Sequence, residues 1–133
     1  MSQENVEIVR AGFDAYNRRD LDAILEYWAP DGVLDWSNSR GVGAGIYRGH
    51  DEIRAVAEGF LATWDEVRIE IINAVEIRDG LVIAENVTHF RGRDGIETQA
   101  RSAWLITLRD GKETSLTLYQ TKQDALEAAG LSE

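Results

Sequence analysis

The stretch RDGLVIAENVTHFRGRDGIETQARSAWLITLRDG runs from Arg78 to Gly111, and its reading decides the fold. Arg-Asp-Gly stands at both ends and again at Arg93 to Gly95. Asp-Gly favours the positive φ values of tight hairpin turns. The segments between and beside these turns, Val67–Ile77, Leu81–Arg91, Ile96–Leu108 and Glu113–Thr121, are rich in β-branched and aromatic residues. They predict four strands in an antiparallel meander. The recurrence is turn chemistry and does not mark a repeat protein. Strand side chains alternate between faces. One face gathers Val67, Ile69, Ile71, Val82, Ala84, Asn86, Thr88, Phe90, Ala100, Ser102, Trp104, Ile106, Leu116, Leu118 and Gln120. The other carries Arg68, Glu70, Glu85, His89, Arg91, Glu97, Gln99 and Arg101, with Val87, Ala103, Leu105 and Tyr119 among them. The first face is the inner one.

Upstream the period changes from two to that of a helix. Ser2 is suited to cap a helix whose apolar stripe is Val6, Val9, Phe13 and Tyr16. After Asn17-Arg18-Arg19, Asp20 caps a short second helix with Leu21, Ile24, Leu25 and Trp28 on one face, stopped by Pro30-Asp31-Gly32. Val33 to Trp36 reads as a short strand and Ser37 to Gly49 as a glycine-rich loop. A third helix starts near Asp51 and buries Ile53, Val56, Ala57, Phe60, Leu61 and Trp64. Downstream, Thr121 and Asp124 form a capping pair for a short final helix that Gly130 ends.

The 133 residues suit a single domain spanning residues 1–133, with 44% hydrophobic and 29% charged residues. Acidic residues number 24 against 14 basic ones, a formal charge of −10. That field repels phosphate backbones and anionic lipid, so neither nucleic acid nor a membrane is an expected partner. Cysteine is absent, which excludes disulfides, thiolate metal sites and cysteine nucleophiles. The start, Met1-Ser2-Gln3-Glu4-Asn5, lacks the basic and apolar regions of a signal peptide, and a cytoplasmic location is expected.

The order helix, helix, strand, helix and four-strand meander resembles the SnoaL-like, nuclear transport factor 2-like families. So do Asn17-Arg18-Arg19-Asp20-Leu21-Asp22-Ala23, Pro30-Asp31-Gly32-Val33 and Tyr47-Arg48-Gly49-His50-Asp51-Glu52-Ile53. Leu108-Arg109-Asp110-Gly111-Lys112 and Ala125-Leu126-Glu127-Ala128-Ala129-Gly130-Leu131 complete the likeness. The resemblance implies an α+β, cone-shaped α-α-β-α-β-β-β-β roll, a bent antiparallel sheet packed on helices around a pocket. It implies frequent dimers, and it does not imply one function.

Carried over position by position, the resemblance leaves the family's acid–base sites neutral. The aspartate base of ketosteroid isomerases falls at Trp36, their oxyanion-binding aspartate at Trp104 and their tyrosine near Gly12 or Phe13. The arginine and aspartate of limonene-type epoxide hydrolases fall at Asn86 and Thr88, and the last-strand aspartate of polyketide cyclases at Leu118. Neither ketosteroid isomerase nor epoxide hydrolase activity is expected.

Asp35 is the one carboxylate of the first strand and the candidate general base, although alternation turns it away from Trp36. His50 and His89 lack metal-ligand spacing, so no metal and no cofactor are expected. Gly41-Val42-Gly43-Ala44-Gly45 lacks the ending and the βαβ context of a phosphate loop and reads as a flexible loop beside the pocket mouth, flanked by Arg40 and Arg48. The expected pocket is walled by Tyr16, Trp36, Phe60, Phe90, Trp104 and Leu118. Asn86, Thr88, Ser102 and Gln120 would orient a flat, mostly neutral small molecule. Those four polar side chains either meet a ligand in an open cavity or bond one another in a closed core. Two rival readings stand beside the binding protein: an isomerase, cyclase or hydrolase using Asp35 or another pocket carboxylate, and a protein whose dimer surface matters most. A homodimer through the outer sheet face is expected, since Val87, Ala103, Leu105 and Tyr119 lie there.

Overall fold

The computed structural model describes residues 3–39, 44–92 and 94–130. The proposed cap Ser2, Arg40, residues 41–43 of the glycine loop, Arg93 of the middle turn and Leu131 lie outside them. In chain order the elements are α1 (Gln3–Asn17), α2 (Leu21–Glu26), β1 (Trp28–Asp35), β2 (Ile46–Arg48) and α3 (Gly49–Thr63). Then come β3 (Glu66–Arg78), β4 (Leu81–Arg91), β5 (Glu97–Arg109), β6 (Lys112–Tyr119) and α4 (Lys122–Ala128). All six strands form one sheet, in the order β2-β1-β6-β5-β4-β3.

The meander is antiparallel throughout, and β1 joins it by running parallel to β6. Register follows the predicted faces: Ile69 opposes Thr88, Asn86 opposes Ser102, and Trp104 opposes Ala84 on one side and Leu118 on the other. Gly80 and Gly111 sit at φ +77° and +79°, which their turns require. Irregularities in β3 between Ile71 and Asn73 and between Glu76 and Arg78 add the local bend that wraps a sheet around helices. The inner face packs on α1 and α3 through a core of Val9, Phe13, Ile53, Val82, Ala84, Trp104 and Ile106 with their neighbours.

Asn17 fixes α1 to the sheet. Its side-chain amide donates to Ile69 O at 2.9 Å, and its Oδ1 accepts from Ile69 N at 2.8 Å. Arg19 adopts φ +60° at the α1–α2 corner and donates to Leu61 O and Asp65 O, tying that corner to the end of α3. Asp20 caps α2, accepting from Ala23 N, and Thr121 caps α4, accepting from Asp124 N.

Three expectations need correction. Trp28 does not belong to the helical stripe of α2; the helix ends at Glu26, and Trp28 opens β1 opposite Glu113. β1 therefore runs through Pro30 and starts five residues before Val33. Its pairing skips from Trp28 to Val33 and leaves the proline outside the ladder, where it needs no N–H bond. The Trp28 ring lies on Gly32, where a Cβ would come within 2.6 Å of the ring. The stretch read as one loop from Ser37 to Gly49 contains β2, which pairs with β1 from Val33 to Asp35. Trp64 lies just past α3 rather than on its stripe.

On the outer face, α4 covers part of the apolar surface assigned to a partner. Ala125 packs with Ile83, Ala103 and Leu105, all buried within one chain, and Val87 is buried as well. Tyr119 is half-buried beside this cluster. The apolar basis for a dimer through these residues is therefore largely gone.

Candidate functional site

Six aromatic rings form a chain between the sheet and the helices. Phe13 on α1 meets Trp104 on β5 at 4.9 Å between ring centroids, edge to face. Trp104 lies 6.2 Å from Trp36, which follows β1 directly. Trp36 meets Phe60 on α3 at 5.3 Å, again edge to face. Phe60 lies 5.8 Å from Phe90 on β4, and Phe90 lies 4.9 Å from Trp64. The alternation of β4 and β5 turns Phe90 and Trp104 inward, and the backbone N–H of Trp36 donates to Gly45 O at 2.7 Å, anchoring its start of the loop. Such ring contacts add about 0.5–1.5 kcal/mol each beyond the area they bury. Tyr16 and Leu118 pack against the same core. Burial raises the Tyr16 phenol above its ordinary range, with Arg19 opposing the shift, so Tyr16 stays a neutral hydroxyl near neutral pH.

The polar side chains of the inner face come together but satisfy one another. Thr88 Oγ1 donates to Asn86 Oδ1 at 3.2 Å, and Ser102 Oγ donates to the same oxygen at 3.3 Å. The Asn86 amide makes a long contact of 3.4 Å to Ala84 O. Asn86 is only 1% exposed. Gln120 leaves the group: it lies beyond β6, and its amide donates to Asn38 O at 2.8 Å. Asn38 in turn donates to Leu118 O, so the start of the loop is laced to the end of β6.

Asp35 stands apart from the ring chain. Its Oδ1 accepts from Ser37 N at 3.0 Å and Ser37 Oγ at 2.6 Å, an Asx-type turn at the strand end. Burial raises the pKa of Tyr119, and the negative charge of Asp35 adds to the rise, which places that carboxylate near the outer face. His50 Nε2 donates to Trp28 O at 3.0 Å, a structural bond. His89 pairs with Glu70 at 2.9 Å on the outer face, and that bond holds the Glu70 carboxyl below its usual range. Arg48 is exposed at the start of α3, where its backbone N–H donates to Glu52. A cleft of about 370 Å³ opens at the ends of β3, β4 and β5, lined by Glu66, Arg68, His89, Arg91 and Glu97 with Phe90. Its walls are charged, unlike the ring chain. No group of three metal-ligating side chains occurs among the described residues.

A SnoaL-like domain model matches residues 9–116. The chain belongs to the SnoaL-like family. The architecture is that of nuclear transport factor 2-like, ketosteroid isomerase-like proteins. An uncharacterized protein of Mycobacterium tuberculosis is 29% identical over 126 residues, covering 93% of this chain and 94% of that one. Among solved structures, TerC co-crystallized with polyporic acid shares 19% identity at a TM-score of 0.78, covering 93% of this chain and 96% of TerC. RV0760c from Mycobacterium tuberculosis, in complex with estradiol-17β-hemisuccinate, shares 14% identity at a TM-score of 0.77, covering 90% and 95%.

One buried group of this SnoaL-like domain was not legible beforehand. Glu113 is 3% exposed, and burial pushes its carboxyl up to about 8. Its backbone N–H donates to Tyr27 O at 2.8 Å, and its Oε2 lies against Gly12 of α1, where a Cβ would be 3.5 Å away. Simple alternation from Leu116 and Leu118 puts Glu113 on the outer face. The register shift opposite Thr107 and Leu108 skips Thr114 and turns Glu113 inward. A bulge leaves no mark in the residue pattern, so the sequence carried no signal for it.

Proposed function

We propose that this SnoaL-like domain binds a flat, largely apolar small molecule between the sheet and the helices. The observation that carries the reading is the chain of rings from Phe13 through Trp104, Trp36 and Phe60 to Phe90. Flat aromatic walls give large contact area at low conformational cost. Tyr16 and Leu118 complete the lining. The neighbours crystallised with polyporic acid and with an estradiol ester are consistent with such a use of the fold. Asn86, Thr88 and Ser102 shape the wall, their hydrogen bonds already made, and Gln120 braces the loop instead of the ligand.

Asp35 contributes nothing to this lining, so the reading is of a binding protein and not of an enzyme with Asp35 as base. In the same proposal the domain works in the cytoplasm as a homodimer. With part of the outer sheet face covered by α4, the second copy would meet the charged part around His89, Arg68 and Arg101.

The test is a titration of tryptophan fluorescence with a panel of planar lipophilic compounds. Saturable quenching is expected for members of the panel, and Phe60→Ala should weaken it about tenfold or more, in line with loss of a buried aromatic contact. A panel that leaves the fluorescence unchanged, or a Phe60→Ala variant that binds as the wild type does, would sink the reading.

A further inference from the structure

Asp-Gly occurs four times, at Asp31-Gly32, Asp79-Gly80, Asp94-Gly95 and Asp110-Gly111. The pair carries its own chemistry. Glycine has no side chain to shield its amide, so its nitrogen can attack the carboxyl carbon of the preceding aspartate. The peptide unit between the two residues must rotate for that attack, and the hydrogen bonds that hold it must break first.

The four sites differ in what holds that unit. Gly32 is buried within β1 beneath the Trp28 ring. Gly80 N–H donates to Glu76 Oε2 at 2.9 Å, and Gly80 O accepts from Leu108 N at 2.8 Å. Gly95 N–H donates to Gly92 O at 3.0 Å. At the β5–β6 turn, neither the Gly111 N–H nor the Asp110 carbonyl has a partner among the described residues, and both residues are exposed. Asp110 and Gly111 sit at φ +54° and +79°, the pattern of a type I′ turn, in which the flanking pair Arg109 and Lys112 closes the ladder. Rotating the central peptide there breaks no bond. Asp110 is also held in the left-handed region, which strains a residue with a side chain, so rotation relieves strain as well.

We propose that Asp110 is a site of spontaneous modification, where the folded chain converts aspartate to isoaspartate. The Gly111 nitrogen bonds to the side-chain carboxyl carbon of Asp110. One carboxyl oxygen leaves as water, taking the amide proton and a carboxyl proton. Water then adds to the original main-chain carbonyl of the cyclic imide and breaks its bond to the Gly111 nitrogen. The chain now runs through the former side chain, and the former main-chain carboxyl hangs free. Water is the sole co-reactant, and the net charge is unchanged. The product backbone is one methylene longer in a turn of two residues. That extra length falls on the Arg109–Lys112 and Leu108–Glu113 pairings, so the aged chain unfolds at lower urea than the fresh one.

Folded wild type is held for weeks at neutral pH and then digested with an endoproteinase that cuts before aspartate but not before isoaspartate. Cleavage before Asp110 should be lost at least several-fold faster than cleavage before Asp79 or Asp94. Incubation in heavy-oxygen water should leave one labelled oxygen in the peptide that holds Asp110. In urea, where no turn is held, the three sites should react at similar rates. Glu76→Ala frees the Gly80 N–H, so Asp79 should then react several-fold faster relative to Asp94, which reports any general loosening of the fold. Equal rates at the three turns of the folded chain, a faster loss at Asp79 or Asp94, or an Asp110 site that survives while the urea control reacts would each overturn the assignment. An Asp79 rate that ignores Glu76→Ala would overturn the hydrogen-bond argument behind it.

Discussion

Replacing Glu113 with Gln keeps the shape of the side chain and removes its ionisation. In the folded protein the carboxyl is pushed up to about 8 from an ordinary value near 4.5, because burial against α1 and Tyr27 penalises the charge. The folded state therefore holds a proton that the unfolded chain releases near pH 4.5. Below that pH both states are protonated, and the group costs the wild type nothing. As pH rises toward 8 the unfolded chain gains by ionising while the folded one does not, so stability falls. Above about 8 both states are ionised, and the loss is complete. At about 1.4 kcal/mol per pH unit across that window, the loss reaches up to about 5 kcal/mol. The neutral amide introduced by Glu113→Gln has no such dependence.

Urea unfolding of wild type and Glu113→Gln at pH 5, 7 and 9 measures the difference directly. The two should be similar at pH 5, and the variant should be more stable by several kcal/mol at pH 9. A difference that stays constant from pH 5 to 9, or that favours the wild type as pH rises, would refute the argument. Unchanged m-values would confirm that the comparison reports the folded state.

The remaining predictions use the same equilibrium methods. Asn17→Ala deletes two hydrogen bonds to the Ile69 backbone and leaves that N–H and carbonyl without partners, so it should cost about 2–4 kcal/mol in urea denaturation. Light scattering at micromolar concentration should show a dimer at low salt that weakens near 1 M, where the Debye length is about 3 Å and the charges around His89 are screened. A monomer at low salt, or a dimer indifferent to salt, would remove the charged part of the outer face as the contact.

Much of the fold was legible because its signals are local. The Asp-Gly pairs set the ends of β4 and β5 to within a residue, and strict alternation placed Trp104, Ile106, Val82 and Leu118 on the inner face, as found. What was missed depends on distant partners. Trp28 fits a helical stripe equally well, and only its pairing with Glu113 on β6 pulls it into β1. β2 is three residues long and exists because β1 offers an edge. Glu113 turns inward through a bulge. On the outer face, the apolar residues Ala103 and Leu105 were visible, but that α4 of the same chain covers them was not. Among the expected wall residues, the aromatic ones were readable from parity. The mutual bonding of Asn86, Thr88 and Ser102 is a matter of side-chain rotamers, which parity does not determine.

Two breaches of comfortable polar burial stand in the core, the desolvated carboxyl of Glu113 and the unpartnered indole N–H groups of Trp36 and Trp104, and they differ in what can relieve them. Glu113 sits at the sheet end near Gly111, sealed by Gly12 and the Tyr27 backbone, and it settles its cost by holding a proton. Trp36 and Trp104 have no such exit, because an indole N–H does not titrate in water. They lie in the middle of the run of rings, and the segment that follows Trp36 is tied to β6 by side-chain bonds of Asn38 and Gln120. The two breaches should thus separate experimentally. Ligand should raise stability in proportion to its occupancy at any pH where the chain is folded, and that increment should be the same in Glu113→Gln as in wild type. A ligand increment that disappeared with the Glu113 carboxyl would mean that the two ends of the core act as one site.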